Sequence, residues 1–184
     1  GWRTRSDTAS AGQVRGMHSW IANNSDRWIS AGSYNKLYVY SGAGIQYDIT
    51  PTGFTAGNED ALTPVGYGNS FYGLEYYGTP RQESVTITPA TTWSMDSWGQ
   101  YLVACSSTDG KVYEWQLSTG TIAAVVANAP VNNRAILVTE ERFLMCLGAG
   151  GNPRLVQWSD REDNTVWTPA ATNEAGSLEL QTTG

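Results

Sequence analysis

An apolar strand, a turn and a second strand ending in an aromatic recur along this chain, and such a repeat limits the fold more than any single motif does. The middle copy runs Gln100-Tyr101-Leu102-Val103-Ala104-Cys105, then Ser106-Ser107-Thr108-Asp109-Gly110, then Lys111-Val112-Tyr113-Glu114-Trp115. The third runs Arg142-Phe143-Leu144-Met145-Cys146-Leu147, a Gly-rich turn, and Arg154-Leu155-Val156-Gln157-Trp158. Tyr101 and Phe143 lie 42 residues apart, and Trp115 and Trp158 lie 43 apart. A period of about 40–45 residues built from short strands is that of a β-propeller blade. A looser first copy lies upstream, where Arg27-Trp28-Ile29-Ser30-Ala31-Gly32 aligns with the Gln100 strand and Lys36-Leu37-Tyr38-Val39-Tyr40 with the Lys111 strand. Trp28 precedes Tyr101 by 73 residues, more than one period. The surplus is assigned to a long loop or insertion at about 52–83, rich in Gly, Thr, Tyr and Asn.

The expected fold is all-β, with propeller-like blades of short antiparallel strands. Residues 1–25 read as an N-terminal arm or connecting segment, and residues 26–184 as a partial propeller. Known propellers close with about four to eight blades, so three blades imply a part of a larger protein. Charged residues make up only 15% of the chain, against 8 Trp, 10 Tyr and 20 Gly. That balance favours strands and turns over helices. The best helical window is Asp7–Trp20. The apolar run Thr121–Ala127 reads as a buried strand, and it is too short to span a membrane.

A net charge of −6 argues against a surface that grips nucleic acid through phosphates, which needs clustered Lys and Arg. An acidic wall still suits DNA that must slide rather than stick. Catalytic groupings are sparse. The one histidine, His18, has no sequence-placed acid beside it to orient it as a base, and it reads as a surface or packing residue. A zinc site needs about four close Cys, His or acidic ligands, and no such spacing occurs. Cys105 and Cys146 fall near equivalent places in two repeats and read as small buried side chains rather than a disulfide. Gly148-Ala149-Gly150-Gly151-Asn152-Pro153 lacks the Lys-Ser/Thr of a phosphate loop and reads as a hairpin turn needing positive φ. Asp160, Glu162 and Asp163 offer hard oxygen ligands for Ca²⁺. The loop glycine of such a site is missing, however, and Arg161 interrupts the cluster. The preferred reading is a capped structural turn bracketed by Trp158 and Trp167. No cofactor is called for.

The tryptophans divide into two groups. Trp28, Trp115 and Trp158 stand at repeat-equivalent strand positions and are expected to pack between blades. Trp2, Trp20, Trp93, Trp98 and Trp167 lie in less regular stretches and are candidates for interface contacts. Exposed aromatics would also serve a carbohydrate- or receptor-binding propeller, the alternative function.

Three segments together resemble structural proteins of tailed bacteriophages. They are Asn35–Val39 with Gln46–Pro51, Trp93–Gly99 leading through Leu102–Cys105 to Tyr113–Trp115, and Val156–Pro169 with Ala171–Gly176. The likeness is to the β-propeller-containing tail nozzle or tail-hub proteins, also called tail tubular or DNA-stabilisation proteins. It covers roughly residues 26–51 and 92–184. It implies a virion protein of the tail or neck, made in the bacterial host cytoplasm and without enzymatic activity. Such a protein would form a hexameric ring around the DNA channel, retaining packaged DNA and passing it at ejection. The implied partners are adaptor, portal and fibre proteins, with transient non-specific contact to genomic DNA. Tyr67, Phe71, Tyr72, Tyr76 and Tyr77 in the long loop are the candidate ring-contact residues.

Overall fold

The structure, a computed structural model, describes residues 8–61 and 88–181. They form three four-stranded antiparallel sheets, each a meander in which consecutive strands pair. The first sheet holds β1 (Gly16–Ile21), β2 (Arg27–Gly32), β3 (Leu37–Ser41) and β4 (Gln46–Asp48). The second holds β5 (Trp93–Trp98), β6 (Tyr101–Ser106), β7 (Val112–Trp115) and β8 (Ala124–Val125). The third holds β9 (Ala135–Val138), β10 (Leu144–Leu147), β11 (Leu155–Trp158) and β12 (Gly176–Glu179). The all-β expectation therefore holds.

The repeat maps onto strands two and three of each sheet, with one further strand on either side. Strand one of the first sheet corrects the helical reading of Asp7–Trp20, because β1 occupies Gly16–Ile21 and no helix forms among the described residues of that window. Its side chains alternate with a period of two: Trp20 is buried between exposed Ser19 and Ile21. That pattern fits a pleated strand and not a helical stripe. The first sheet thus starts inside the stretch read as an arm. Residues 52–61 carry no strand, and the rest of the expected insertion lies outside the described residues.

Alternation gives every sheet two faces, and each internal face is apolar. The forward face of the first sheet presents Trp20, Trp28, Leu37 and Val39. It packs on the rear face of the second, which presents Trp93, Leu102, Ala104, Tyr113 and Trp115. The second sheet's forward face, with Trp98, Val103, Cys105 and Val112, meets Ile136, Leu144 and Cys146 on the rear of the third. Each fully buried large side chain contributes about 1.5–3 kcal/mol of hydrophobic stabilisation, so these two interfaces form the core. Gly32 allows the closest approach, since a Cβ there would run into the Trp93 ring. The Trp93 indole N–H is satisfied by the Ser33 carbonyl at 2.7 Å.

The run Thr121–Ala127 is not the buried strand expected. Only Ala124–Val125 pair, at the edge of the second sheet, and both are exposed, while flanking Ala123 and Val126 are buried. An edge strand has one neighbour, so burial falls on the residues where the chain turns back to the core.

Strands one of neighbouring sheets also touch. Ser94 Oγ donates to the Ile136 carbonyl at 2.9 Å and accepts from its N–H at 3.1 Å. Asp96 accepts from the Val138 N–H at 2.8 Å, and His18 Nε2 lies 2.8 Å from the Ser97 hydroxyl. Side chains on β5 thus stitch it to β9 on one side and to β1 on the other.

Candidate functional site

The expected ring-contact residues Tyr67, Phe71, Tyr72, Tyr76 and Tyr77 lie outside the described residues, as does Trp2. The acidic turn is well defined. Asp160 Oδ1 accepts from the backbone N–H groups of Arg161 at 2.9 Å and Glu174 at 2.8 Å. Asp163 Oδ1 accepts from the Thr165 hydroxyl at 2.6 Å and its N–H at 2.9 Å, and these bonds hold its carboxyl below the usual carboxylate range. Glu162 takes the left-handed conformation at φ 59° and its N–H donates to the Arg142 carbonyl at 3.0 Å. Asp160 and Asp163 thus direct these oxygens at the backbone, as turn-capping Asx residues do. Among the described residues no three acidic, His or Cys side chains gather to hold a metal.

The turn is anchored at both ends. Trp167 is buried in the core between the second and third sheets, its indole N–H donating to the Asn164 carbonyl at 2.7 Å. Asn164 in turn donates its amide to Glu114 on the second sheet. Trp158 donates to the Glu174 carbonyl at 2.9 Å.

Four aromatics proposed as interface contacts are instead core residues. Trp20, Trp93, Trp98 and Trp167 are all buried. Trp93 and Trp98 stand at the two ends of β5, Trp20 stands next to the end of β1, and Trp167 follows the acidic turn, so each ring covers an end of the core.

Trp158 departs from its expectation in the opposite direction. Trp115 stands opposite Leu102 and packs rearward on the first sheet, edge-on to Trp28 at 5.2 Å. The residue opposite Leu144, the equivalent of Leu102, is Ser159. Trp158 is opposite Met145 and faces forward, away from the second sheet. One residue of register reverses the face. Equivalent spacing therefore placed Trp115 and Trp158 together, whereas the structure puts Trp158 on an outer surface.

That surface carries a cleft of about 270 Å³ lined by Thr139, Glu141, Phe143, Met145, Trp158 and Glu174. Leu137 and Val156 extend its apolar floor on the same face. Trp158 packs against Gly176, where an added Cβ would come 2.5 Å from the ring. Glu141 and Glu174 are exposed at the mouth. An aromatic floor with a carboxylate rim can take an apolar or cationic group, or the ring of a sugar.

The chain matches no protein-family model, no curated protein and no solved structure.

The Gly-rich segment joins β10 to β11, with Gly148, Gly150 and Gly151 at φ 68°, 64° and 82°. His18 is half-buried and stacked on Trp20, with ring centroids 5.9 Å apart. Its pKa is lowered by burial, against a smaller opposing pull from Asp96. Cys105 and Cys146 are both free and buried in the same core. They lie on facing sheets, and burial pushes the Cys105 thiol up to about 12. No signal in the sequence isolates the cleft, because Phe143, Met145 and Trp158 read as one more copy of the buried repeat.

Proposed function

We propose that the chain is a structural module of a tailed-phage tail nozzle or hub, its three sheets serving as β-propeller blades. In this reading it belongs to a hexameric ring around the DNA channel that retains the packaged genome and passes it at ejection. Adaptor, portal and fibre proteins are its neighbours in the virion. The observation that carries the blade reading is the contact of β1 with β5 and of β5 with β9. Each sheet then runs outward from its first strand as a meander, which is the order of a propeller blade. Blade packing of this kind leaves few free edges and gives a rigid wall, useful in a particle under internal pressure. The net charge of −6 weakens adhesion to phosphate and favours sliding.

The test is imaging of the particle. Six-fold density below the portal that accommodates these three sheets supports the reading, and a protein absent from purified virions overturns it.

The forward cleft favours one second reading, a carbohydrate- or receptor-binding module. Trp158 offers a face for a sugar ring, and Glu141 and Glu174 offer acceptors for its hydroxyls. Binding on a glycan array that is lost in Trp158→Ala would support this reading over the first.

A further inference from the structure

We propose that Cys105 and Cys146 are a redox-controlled staple across the interface between the second and third sheets, free in the reduced chain and joined by a disulfide when the chain folds under oxidising conditions. The inference rests on that interface alone and on neither reading of the function.

The strand register brings the two thiols to one level of the interface. Ser94 on β5 stands directly opposite Cys105 on β6. Ile136 on β9 stands directly opposite Cys146 on β10. Ser94 and Ile136 are themselves tied across the interface, since the Ser94 hydroxyl donates to the Ile136 carbonyl at 2.9 Å and accepts from its N–H at 3.1 Å. Residues directly opposite in an antiparallel pair have Cα atoms about 4.5–5.5 Å apart and point to the same face. Cys105 and Cys146 therefore lie one strand outward from a fixed point of contact, on the two surfaces that face each other. The gap at that point is narrow enough for one serine side chain to span it, and a disulfide bridges Cα atoms about 4.4–6.8 Å apart. Asp96, which accepts from the Val138 N–H at 2.8 Å, repeats the tie two residues along β5 and holds the two sheets in this register. Disulfides between facing strands of two packed sheets pin antibody domains in the same manner.

Nothing else competes for either sulfur. The whole chain holds two cysteines. Cys105 is 1% exposed and Cys146 is fully buried, in one apolar cluster with Val103, Val112, Ile136 and Leu144. Among the described residues the Cys105 thiol has one weak acceptor, the Ser106 carbonyl at 3.8 Å. Burial raises the pKa of Cys146, and neighbouring Cys105 adds to that rise. Both thiols are therefore protonated and inert while the core stays closed. Pairing takes place as the core forms, or when it opens.

A small-molecule disulfide supplies the oxidation. The thiolate of one cysteine attacks it, forms a mixed disulfide and releases one small thiol. The thiolate of the second cysteine attacks the mixed disulfide, forms the Cys105–Cys146 bond and releases the other small thiol. The chain loses two electrons and two protons, and the oxidant gains both. The bond closes the stretch from residue 105 to residue 146, so it restricts the unfolded chain and should lower the unfolding equilibrium constant about a hundredfold.

The test is refolding of the reduced chain from urea in a glutathione redox buffer, followed by acid quench and intact-mass analysis. The expected product is a single chain lighter by two hydrogens, with a linked Cys105–Cys146 peptide in its digest. It should keep the near-UV circular dichroism of the reduced chain and unfold at a higher urea midpoint. Cys105→Ala and Cys146→Ala chains should carry only free thiol or a glutathione adduct, and their midpoints should not respond to redox state. The native chain held in the same buffer below its urea midpoint should reach the bridged product slowly, a route that needs no refolding from the denatured state. Wild-type chain that ends with free thiols or glutathione adducts by both routes overturns the proposal. A bridged chain that has lost its near-UV signal, or that unfolds at a lower midpoint than the reduced chain, overturns it equally, because the bond then forms only by breaking the interface.

Discussion

Trp115 and Trp158 end matching strands of the repeat, and replacing each by alanine should give very different losses. Trp115 is 1% exposed, stands edge-on to Trp28 at 5.2 Å and to Trp20 at 6.5 Å, and donates its indole N–H toward the Ser118 and Thr121 carbonyls. Removing a buried tryptophan typically costs about 3–5 kcal/mol. Each favourable aromatic pair adds about 0.5–1.5 kcal/mol beyond area, which puts Trp115→Ala at the upper end, about 4–5 kcal/mol. Trp158 is half-buried, packs on Gly176 and, among the described residues, makes one side-chain hydrogen bond, to the Glu174 carbonyl. With part of its area already in water, Trp158→Ala should cost about 1–2 kcal/mol. A domain has a total stability of about 5–15 kcal/mol, so Trp115→Ala should bring the chain close to unfolding and Trp158→Ala should not. Urea denaturation followed by far-UV circular dichroism, on dilute protein where only intramolecular contacts count, measures both. Equal losses, or a larger loss for Trp158, would show that the two rings share a face and that the register argument is wrong.

Three other outcomes are expected. Gly110 sits at φ 60° in the turn after β6, and a Cβ there would strike the backbone of Asn132 and Asn133, so Gly110→Ala should cost about 1–3 kcal/mol or more in the same urea assay. His18 has its pKa lowered in the folded state by burial, so the unfolded chain binds a proton first as pH falls through the unfolded value of 6.5. Stability should decline below that pH, and His18→Gln should flatten the slope between pH 7 and about 5; an unchanged slope would show that His18 is not its source. Cys105 and Cys146 should react with a thiol reagent only as fast as the protein unfolds, and immediate labelling in native buffer would contradict their burial.

Much of the fold was legible because its signals are local. Short apolar runs around Arg27–Gly32, Tyr101–Ser106 and Leu144–Leu147, each followed by a turn, marked strand two of each sheet. The Asp109-Gly110 and Gly148–Gly151 turns marked the reversals after it, since glycine accepts positive φ without strain. What failed were inferences that depended on a partner strand. Gly16–Ile21 reads as part of a helical window until β2 pairs with it. Trp20, Trp93, Trp98 and Trp167 read as irregular aromatics until their sheets meet over them. The candidate cleft was hidden for the same reason: Phe143, Met145 and Trp158 have core composition, and only the lack of a described fourth sheet beyond them leaves them on a surface.

The sequence by itself determined that the chain is built from short antiparallel strands in repeated units, because apolar runs and turn chemistry act within a few residues. It also determined an acidic balance and the scarcity of catalytic groupings. Only the tertiary structure decided which way each repeated side chain points. Leu102 pairs with Trp115, 13 residues on, whereas Leu144 pairs with Ser159, 15 residues on, so that Trp158, 14 residues on, falls one place short of the facing position. The longer turn of the third copy, with its short 3₁₀ segment Ala149–Gly151, takes up the difference. A hydrogen-bond register is a long-range property of two strands, and a shift of one residue in it exchanges core for surface. That shift moves Trp158 from a packing position to the wall of the forward cleft. Cys105 and Cys146 lie on opposite sides of one interface because one stands three residues after Leu102 and the other two after Leu144, which strand alternation turns to opposite faces.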